Sequence, residues 1–261
     1  MTFRDEEGRF HHIKVYEGEL PNRMLLPGSR SRVKRIAERL DDPRILADDR
    51  QLVVEGYYKG VRIGAVDTGM GPSSAAIIVR EVIEAIDYGE GEAYLIRPGT
   101  SGSLQPYVKV GDLVVSTAVV ADEDVSWRIV GPRFPLVSDP NVVSALVSAA
   151  EEAGYKLGDD LHVGVTHVKS ALYEFEEPEV SAFPERARSR LEQLTCMGVL
   201  CTEMELSVIL ALASWYNALS KEKVVKAGGI FLVLSPYGGG EFRAPPEDDL
   251  IDISLEALAS L

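Results

Sequence analysis

Short apolar runs alternate along this chain with segments whose apolar residues recur at three- and four-residue spacing, the pattern of strands interleaved with helices. Arg23-Met24-Leu25-Leu26 reads as a strand, and Val33, Ile36, Ala37 and Leu40 place a helix over residues 33–40. Residues 52–66 read as a hairpin turning at Lys59-Gly60, and a helix over 73–86 starts behind Pro72, a residue suited to a first helical turn. Ala93-Tyr94-Leu95-Ile96 is a short buried strand, followed by a loop over 97–106. Strands are expected over 112–120 and 161–166, and helices over 140–154, 184–194 and 206–215. A strand over 224–234 is expected to break at Gly228-Gly229, and a helix closes the chain over 248–261. His12-Ile13-Lys14-Val15 reads as a further short strand behind a polar lead-in. Regular alternation without a linker, repeat or low-complexity tract predicts a single α/β domain over residues 1–261, with a mixed, mainly parallel central sheet flanked by helices.

Composition narrows the picture. With 261 residues and 46% hydrophobic content the chain can bury a sizeable core. A formal charge of −14 argues against a nucleic-acid partner, since a phosphate backbone needs a basic surface. It leaves room for a small anion held by a few arginines. No apolar run reaches membrane-spanning length, and the first residues lack a signal-peptide core, so a cytoplasmic location and no membrane partner are expected. The 2 cysteines, Cys196 and Cys201, read as buried free thiols rather than a bridge.

Three stretches carry candidate chemistry, each just after a predicted strand, where ligands of α/β sheets collect. Gly28-Ser29-Arg30-Ser31-Arg32 opens a helix whose free N–H groups favour an anion, while Lys34 and Arg35 read as a solvated face. Thr68-Gly69-Met70-Gly71-Pro72-Ser73 is a glycine-rich turn. Arg97-Pro98-Gly99-Thr100-Ser101-Gly102-Ser103 joins an arginine, hydroxyls and backbone exposed by glycine, the parts of an oxyanion cradle; an ordinary turn with a solvated arginine fits the same letters. Glu203 and Glu205 follow another strand. They suit a vicinal diol such as ribose, and equally suit the N-terminus of a helix. Phosphate plus a sugar is the ligand these residues suggest together.

The order of these motifs resembles the nucleoside phosphorylase family, which includes uridine phosphorylase and the hexameric purine nucleoside phosphorylases. The resemblance runs through His12–Val15, Leu26-Pro27-Gly28-Ser29-Arg30-Ser31-Arg32-Val33, Thr68–Ser73, Arg97–Gly102, His162-Val163-Gly164-Val165-Thr166 and Glu203-Met204-Glu205, and lies nearest the uridine phosphorylase branch. It implies a pentosyltransferase that cleaves the N-glycosidic bond with inorganic phosphate as co-substrate, without metal or other cofactor. It assigns Gly28, Arg32, Arg50, Arg97 and Thr100 to phosphate, and His12, Met204 and Glu205 to ribose. Arg97, Arg32 and Glu205 would carry catalysis. Arg50 and His12 would be lent across a subunit interface, within a hexamer built as a trimer of dimers.

The base end departs from the family. An ungapped reading puts Glu176 and Pro178 where uridine phosphorylases carry a Gln and an Arg, and Leu234-Ser235-Pro236 lacks the Asp of the purine branch. Ser29 replaces a common Asp, and Pro98 removes one N–H from the 97–106 stretch. Leu172, Tyr173, Glu176 and Glu203 are the expected base-binding residues. A carboxylate at Glu176 accepts hydrogen bonds but donates none, which favours inosine or guanosine over uridine. His167 and Lys169 fit either the base pocket or a surface loop; Arg243 is another candidate base reader, and Gly238-Gly239-Gly240 a flap or a plain turn. Purine nucleoside phosphorylase and a nucleoside-binding protein without turnover remain alternative functions.

Overall fold

The computed structural model describes residues 2–89, 91–220, 222–239 and 245–261. In chain order the elements are β1 (Arg23–Leu25), α1 (Arg30–Ala37), β2 (Asp41–Asp48), β3 (Leu52–Tyr58), β4 (Val61–Val66), α2 (Pro72–Ala85), β5 (Glu92–Ser103), β6 (Leu113–Asp122), α3 (Val125–Val130), β7 (Leu136–Val137), α4 (Pro140–Glu152), β8 (Leu161–Lys169), α5 (Tyr173–Glu176), α6 (Pro184–Cys196), β9 (Cys201–Glu203), α7 (Leu206–Leu219), β10 (Val224–Ser235) and α8 (Asp248–Ser260). One ten-stranded sheet runs in the order β10-β6-β8-β9-β5-β1-β4-β3-β2, with β7 against β6. The sheet is mixed as expected; its longest ladders, β5–β10 and β6–β8, are parallel, while antiparallel pairings serve the β2–β3–β4 meander and join β6 to β10.

Helices cover both faces. Ile78, Val79 and Val82 of α2 pack with Leu206, Ile209 and Leu210 of α7 in one core. Val33 and Ile36 of α1, Val142 and Leu146 of α4, and Leu250, Ile251 and Leu258 of α8 fill the other. An additional β5–β10 pairing closes β5, β10, β6, β8 and β9 into a ring. On its other side β5 meets β1 at residues 94–96 and β9 at 102–103. Residues 97–101 between them have a strand neighbour on one side only, so the sheet has a notch there.

Several expectations are corrected. The stretch after Ile96 is not a loop: β5 continues through Arg97 to Ser103, because β10 pairs with it along its length. Pro98 is tolerated because the N–H and C=O of one strand residue face the same side. Its carbonyl accepts from Arg32 Nη1 at 3.1 Å, so the missing N–H faces the notch. β10 does not break at its glycines. A Cβ at Gly228 would stand 2.7 Å from Val142 Cγ1, and one at Gly229 3.0 Å from Phe231, so these glycines admit close packing rather than a turn. β8 extends to Lys169, which puts His167 and Lys169 in a buried strand rather than a surface loop. His12–Val15 forms a turn, not a strand. Glu81 of α2 accepts from the N–H groups of both His12 (3.0 Å) and Ile13 (3.1 Å), donors that a ladder would have used, and Lys14 has φ 56°.

Smaller differences have local causes. α1 begins three residues earlier than its apolar spacing suggests, because Ser29 caps it by accepting from Arg32 N at 3.3 Å. Arg35 is not merely solvated: it pairs with Glu247 and Asp248 across the α1–α8 contact. Cys201 is buried, which pushes its thiol up to about 12, but Cys196 is exposed at the end of α6. β2 carries no apolar alternation; six of its eight residues are exposed apart from Leu46 and Ala47, so nothing in the pattern announces it.

Candidate active site

Arg97 occupies the notch in β5. It is buried, and burial alone would weaken its charge; the carboxylates of Glu205 and Glu203 outweigh that and raise its pKa further. Its Nε donates to Glu203 Oε2 at 2.8 Å, Nη2 pairs with Glu205, and Nη1 donates to the carbonyl of Leu26 at 3.4 Å. Three of the five guanidinium N–H groups are thereby committed, leaving one on each Nη. Both Nη atoms face the loop after β1: a Cβ at Gly28 would stand 3.9 and 4.0 Å from them. The uncommitted N–H groups of Arg97 thus lie beside the Gly28 backbone, where no side chain intervenes.

β9 and the start of α7 present the two carboxylates differently. Glu203 is consumed as an organiser. It accepts from the backbone N–H groups of Glu205 (3.0 Å) and Leu206 (2.7 Å) while holding Arg97 Nε. It closes the first turn of α7 and fixes the arginine, so it stands with Arg97 rather than among the residues expected around a base. Glu205 is held at two points, by Arg97 and by the N–H of Gly71 at 2.6 Å, and keeps lone pairs for a further donor. Gly71 reaches it because the turn before α2 runs at φ 71° (Gly69) and φ 86° (Gly71), a path closed to most side chains. Burial raises the Glu205 pKa; Arg97 lowers it, Glu203 raises it again, and the Gly71 N–H and Lys169 oppose the rise without cancelling it. Met204 is half-buried beside it.

Arg32, on α1, approaches the same notch through its bond to the Pro98 carbonyl, but its Nε and Nη2 are both held by Glu247, the residue before α8 (Nε–Oε2 3.1 Å). Thr100 lies further along β5, half-buried, paired with Leu232. Contacts thus join Gly28, Arg97 and Glu205, and Arg32 reaches the same stretch of β5; Thr100 and Met204 are their neighbours along the chain, on β5 and at the β9–α7 turn. Arg50 and His12 do not join them. Arg50 is exposed, and His12 stands in the wall of a groove of about 780 Å³ with Ile77 and Arg80, its Nδ1 2.7 Å from Glu81 Oε1. Among the described residues no hydrogen bond or ion pair links either one to Arg97, Glu203 or Glu205.

On the far side of β9 lies a second polar group. Lys169, at the end of β8, is buried and donates to Glu176 Oε1 at 2.6 Å and to Thr202 Oγ1 at 3.0 Å. Glu176 projects from α5 over β5: a Cβ at Gly102 would stand 3.3 Å from Glu176 Oε2 and 2.7 Å from Ser235 Oγ. His167 stacks on Phe175 with ring centroids 4.5 Å apart. Leu172 and Tyr173 are exposed at the rim. Gly238 and Gly239 have φ 79° and 82°, whereas Gly240 and Arg243 lie outside the described residues.

Sequence reasoning missed Glu81, Glu247 and the pairing of Lys169 with Glu176. Glu81 left one signal, a carboxylate on the apolar face of α2 among Ile78, Val79, Val82 and Ala85. Glu247 left none, because its partners Arg32 and Arg35 are more than two hundred residues away.

Comparison with known proteins places the sequence in a family. Residues 22–238 match the model of the phosphorylase superfamily. The chain is 32% identical to a uridine phosphorylase of Thermococcus kodakarensis over 98% of its own length and 88% of that protein's. It is 30% identical to a guanosine phosphorylase of Halorubrum lacusprofundi over 91% and 88% of the two chains, and 31% identical to a DeoD-type purine nucleoside phosphorylase of Bacillus cytotoxicus over 94% and 97%. By that match over residues 22–238 and by relatives 30–32% identical over more than nine-tenths of its length, this chain belongs to the phosphorylase superfamily.

Proposed function

We propose that the protein is a nucleoside phosphorylase: it cleaves the N-glycosidic bond of a nucleoside with inorganic phosphate, releasing the free base and ribose 1-phosphate. The observation that carries this reading is the Arg97 guanidinium, locked by Glu203 and Glu205 with two N–H groups left toward Gly28. Relatives named for uridine, guanosine and purine nucleoside phosphorolysis support it.

In this reading phosphate sits between Gly28 and the free N–H groups of Arg97, with Arg32 and Thr100 at its flanks. Glu205 accepts hydrogen bonds from ribose hydroxyls, which orients the sugar with C1′ toward the phosphate. As the C1′–N bond lengthens, positive charge develops on the sugar, as in glycoside cleavage. The bound phosphate stabilises that charge and then forms the C1′–O bond, while the electron pair of the broken bond leaves with the base, which takes up the proton that the hydrogen phosphate gives up. Arg97 and Arg32 offset the cost of bringing a dianion into a buried site. No metal or further cofactor enters the scheme.

His12 and Arg50 act, on this reading, in a neighbouring subunit's site, with Glu81 orienting the imidazole. Their distance from Arg97 bonding within one chain is what such sharing requires, and an isologous pair would complete two sites at once. The hexameric assembly and the cytoplasmic location belong to the same proposal; among the described residues no helix is long and apolar enough to cross a membrane. The test is a nucleoside panel assayed with and without phosphate. Phosphate-dependent release of base is expected. Release without phosphate would indicate a hydrolase, and saturable binding without release a binding protein.

A further inference from the structure

The polar group beside the Arg97 site forms a continuous chain. His167 Nε2 lies 3.0 Å from Asp122 Oδ2, and its Nδ1 lies 2.9 Å from Thr202 Oγ1. Burial lowers the His167 pKa, and the hydrogen bond and charge of Asp122 only partly offset this. A neutral imidazole donates from one nitrogen and accepts at the other. Asp122 is a carboxylate: burial would raise its pKa, but the hydrogen bonds from His167 and Arg190 hold it at about 2. It accepts only, so His167 donates from Nε2 and accepts at Nδ1. The Thr202 hydroxyl must then donate to His167, which leaves its oxygen to accept from Lys169. Donation therefore runs from Lys169 through Thr202 and His167 to Asp122, while a second Lys169 N–H goes to Glu176, a side chain about as open to solvent as Asp122 at the other end.

We propose that Asp122, His167, Thr202 and Lys169 form the positioning device for base recognition: they fix the Glu176 carboxylate over Gly102 as a set of acceptors, and so select a base that presents adjacent N–H donors, the 6-oxopurine class, with guanine fitting best. This rests on the nucleoside phosphorylase reading. Lys169 occupies Oε1 from below, and Oε2 stands toward Gly102 and Ser235. A carboxylate so held can accept the N1–H of hypoxanthine, or the N1–H and the exocyclic amino group of guanine together. Adenine offers an acceptor at N1, which faces the carboxylate without a proton between them and leaves both unsatisfied. Uracil offers a single N–H at N3, flanked by two carbonyls that a carboxylate repels. A glutamate free on a surface turn would spend rotamer entropy to make the same bonds; the buried lysine removes that cost before the base arrives.

The experiment measures kcat and KM for guanosine, inosine, adenosine and uridine at saturating phosphate. It also measures equilibrium binding of free guanine and adenine, which needs no turnover. Wild type is expected to favour guanosine over adenosine by roughly ten- to a hundredfold, the scale of hydrogen bonds to a charged acceptor. Lys169→Met raises the guanosine KM and collapses that ratio while leaving the KM for phosphate unchanged; Lys169→Arg recovers most of the ratio. Thr202→Val moves it in the same direction by less. Glu176→Gln, which keeps an oxygen for Lys169 to donate to and is read beside a thermal melt, lowers guanosine without lowering adenosine. Equal binding of guanine and adenine by wild type overturns the proposal, as does a Lys169→Met variant that slows all four nucleosides by one factor. Selective binding of guanine without phosphorolysis of any nucleoside would sink the enzymatic reading and leave this one standing.

Discussion

The two ends of the candidate site are built on different principles. At the Arg97 end the two central side chains, Arg97 and Glu205, stand on a sheet strand and on the turn leaving one, are buried, and are gripped from several elements: Arg97 by β9 and by the end of β1, Glu205 by β5 and by the turn before α2. At the Glu176 end the outermost carboxylate stands on a helix of four residues, and its position derives from one buried lysine beneath it. The first end is rigid because its parts are over-determined. The second is adjustable, because exchanging one or two side chains re-aims it without touching the sheet. A fold that serves several bases needs this division: the part that performs the bond cleavage is shared, and the part that reads the base can change.

The largest effect expected from breaking this contrast is at Arg97. Arg97→Ala removes the phosphate donor and strands two buried carboxylates. Activity falls by roughly 2–4 kcal/mol of transition-state stabilisation, and stability falls by roughly 3–5 kcal/mol, the cost of breaking a buried ion pair. Phosphorolysis kinetics and thermal melts check both, and a variant that keeps its melting temperature would show that the carboxylates do not depend on the arginine. Gly102→Ala is the matching break at the other end. Its Cβ meets Ser235 Oγ and crowds Glu176, so purine KM rises roughly tenfold, the scale of one lost charged hydrogen bond, with the KM for phosphate unmoved. Equal changes in both constants would mean that the two ends are not separable.

Much of the Arg97 end was legible in the letters and most of the Glu176 end was not. Gly28, Arg32, Arg97 and Glu205 lie beside strands whose apolar runs are plain, and their order along the chain matches a known pattern. Even so, the continuation of β5 beyond Ile96 was hidden, because Pro98, Gly99 and Gly102 carry turn chemistry that the β10 ladder overrides. A Cβ at Gly99 would stand 2.6 Å from Phe231, so that glycine serves packing. Lys169 was ambiguous for a similar reason: Val165, Thr166, His167 and Val168 do not announce a strand end, and a charged residue there reads as solvent-exposed until its partners are known. The pairing of Glu247 with Arg32 spans most of the chain and leaves no local trace.

A third break concerns subunits. Arg50→Ala and Arg97→Ala chains, each inactive alone, should recover part of wild-type activity when mixed, since one site of a mixed dimer receives both native arginines. No recovery after demonstrated subunit exchange would place Arg50 outside the site. Fourth, the raised pKa of Glu205 moves the acid limb of kcat/KM. The carboxylate must be ionised to accept ribose hydroxyls, and Glu205 keeps its proton to a higher pH than the ordinary glutamate value of 4.5. Activity therefore falls as pH drops through a limb lying above that value; a limb at or below it would mean that the charges of Arg97 and Lys169 outweigh burial and Glu203. The smallest effect is at Glu247. Glu247→Gln loosens the grip on Arg32 and frees its N–H groups for an anion, so the KM for phosphate falls by a few-fold, roughly the scale of one partly exposed ion pair. A rise instead would show that Glu247 aims Arg32 rather than competing for it.

The closed ring of strands bears on how this molecule breathes. β5 is bonded to β10 along its length and pinned at both ends of its other side by β1 and β9, so it has no edge from which to peel. The amides of residues 94–96, flanked by strands on both sides, exchange with solvent only when the sheet itself opens, which is global unfolding. α5 is one short turn resting on the sheet and exchanges through small local openings. Hydrogen exchange should thus divide the site along the same line as its chemistry, with a slow floor beneath the reacting bond and a fast wall beside the base.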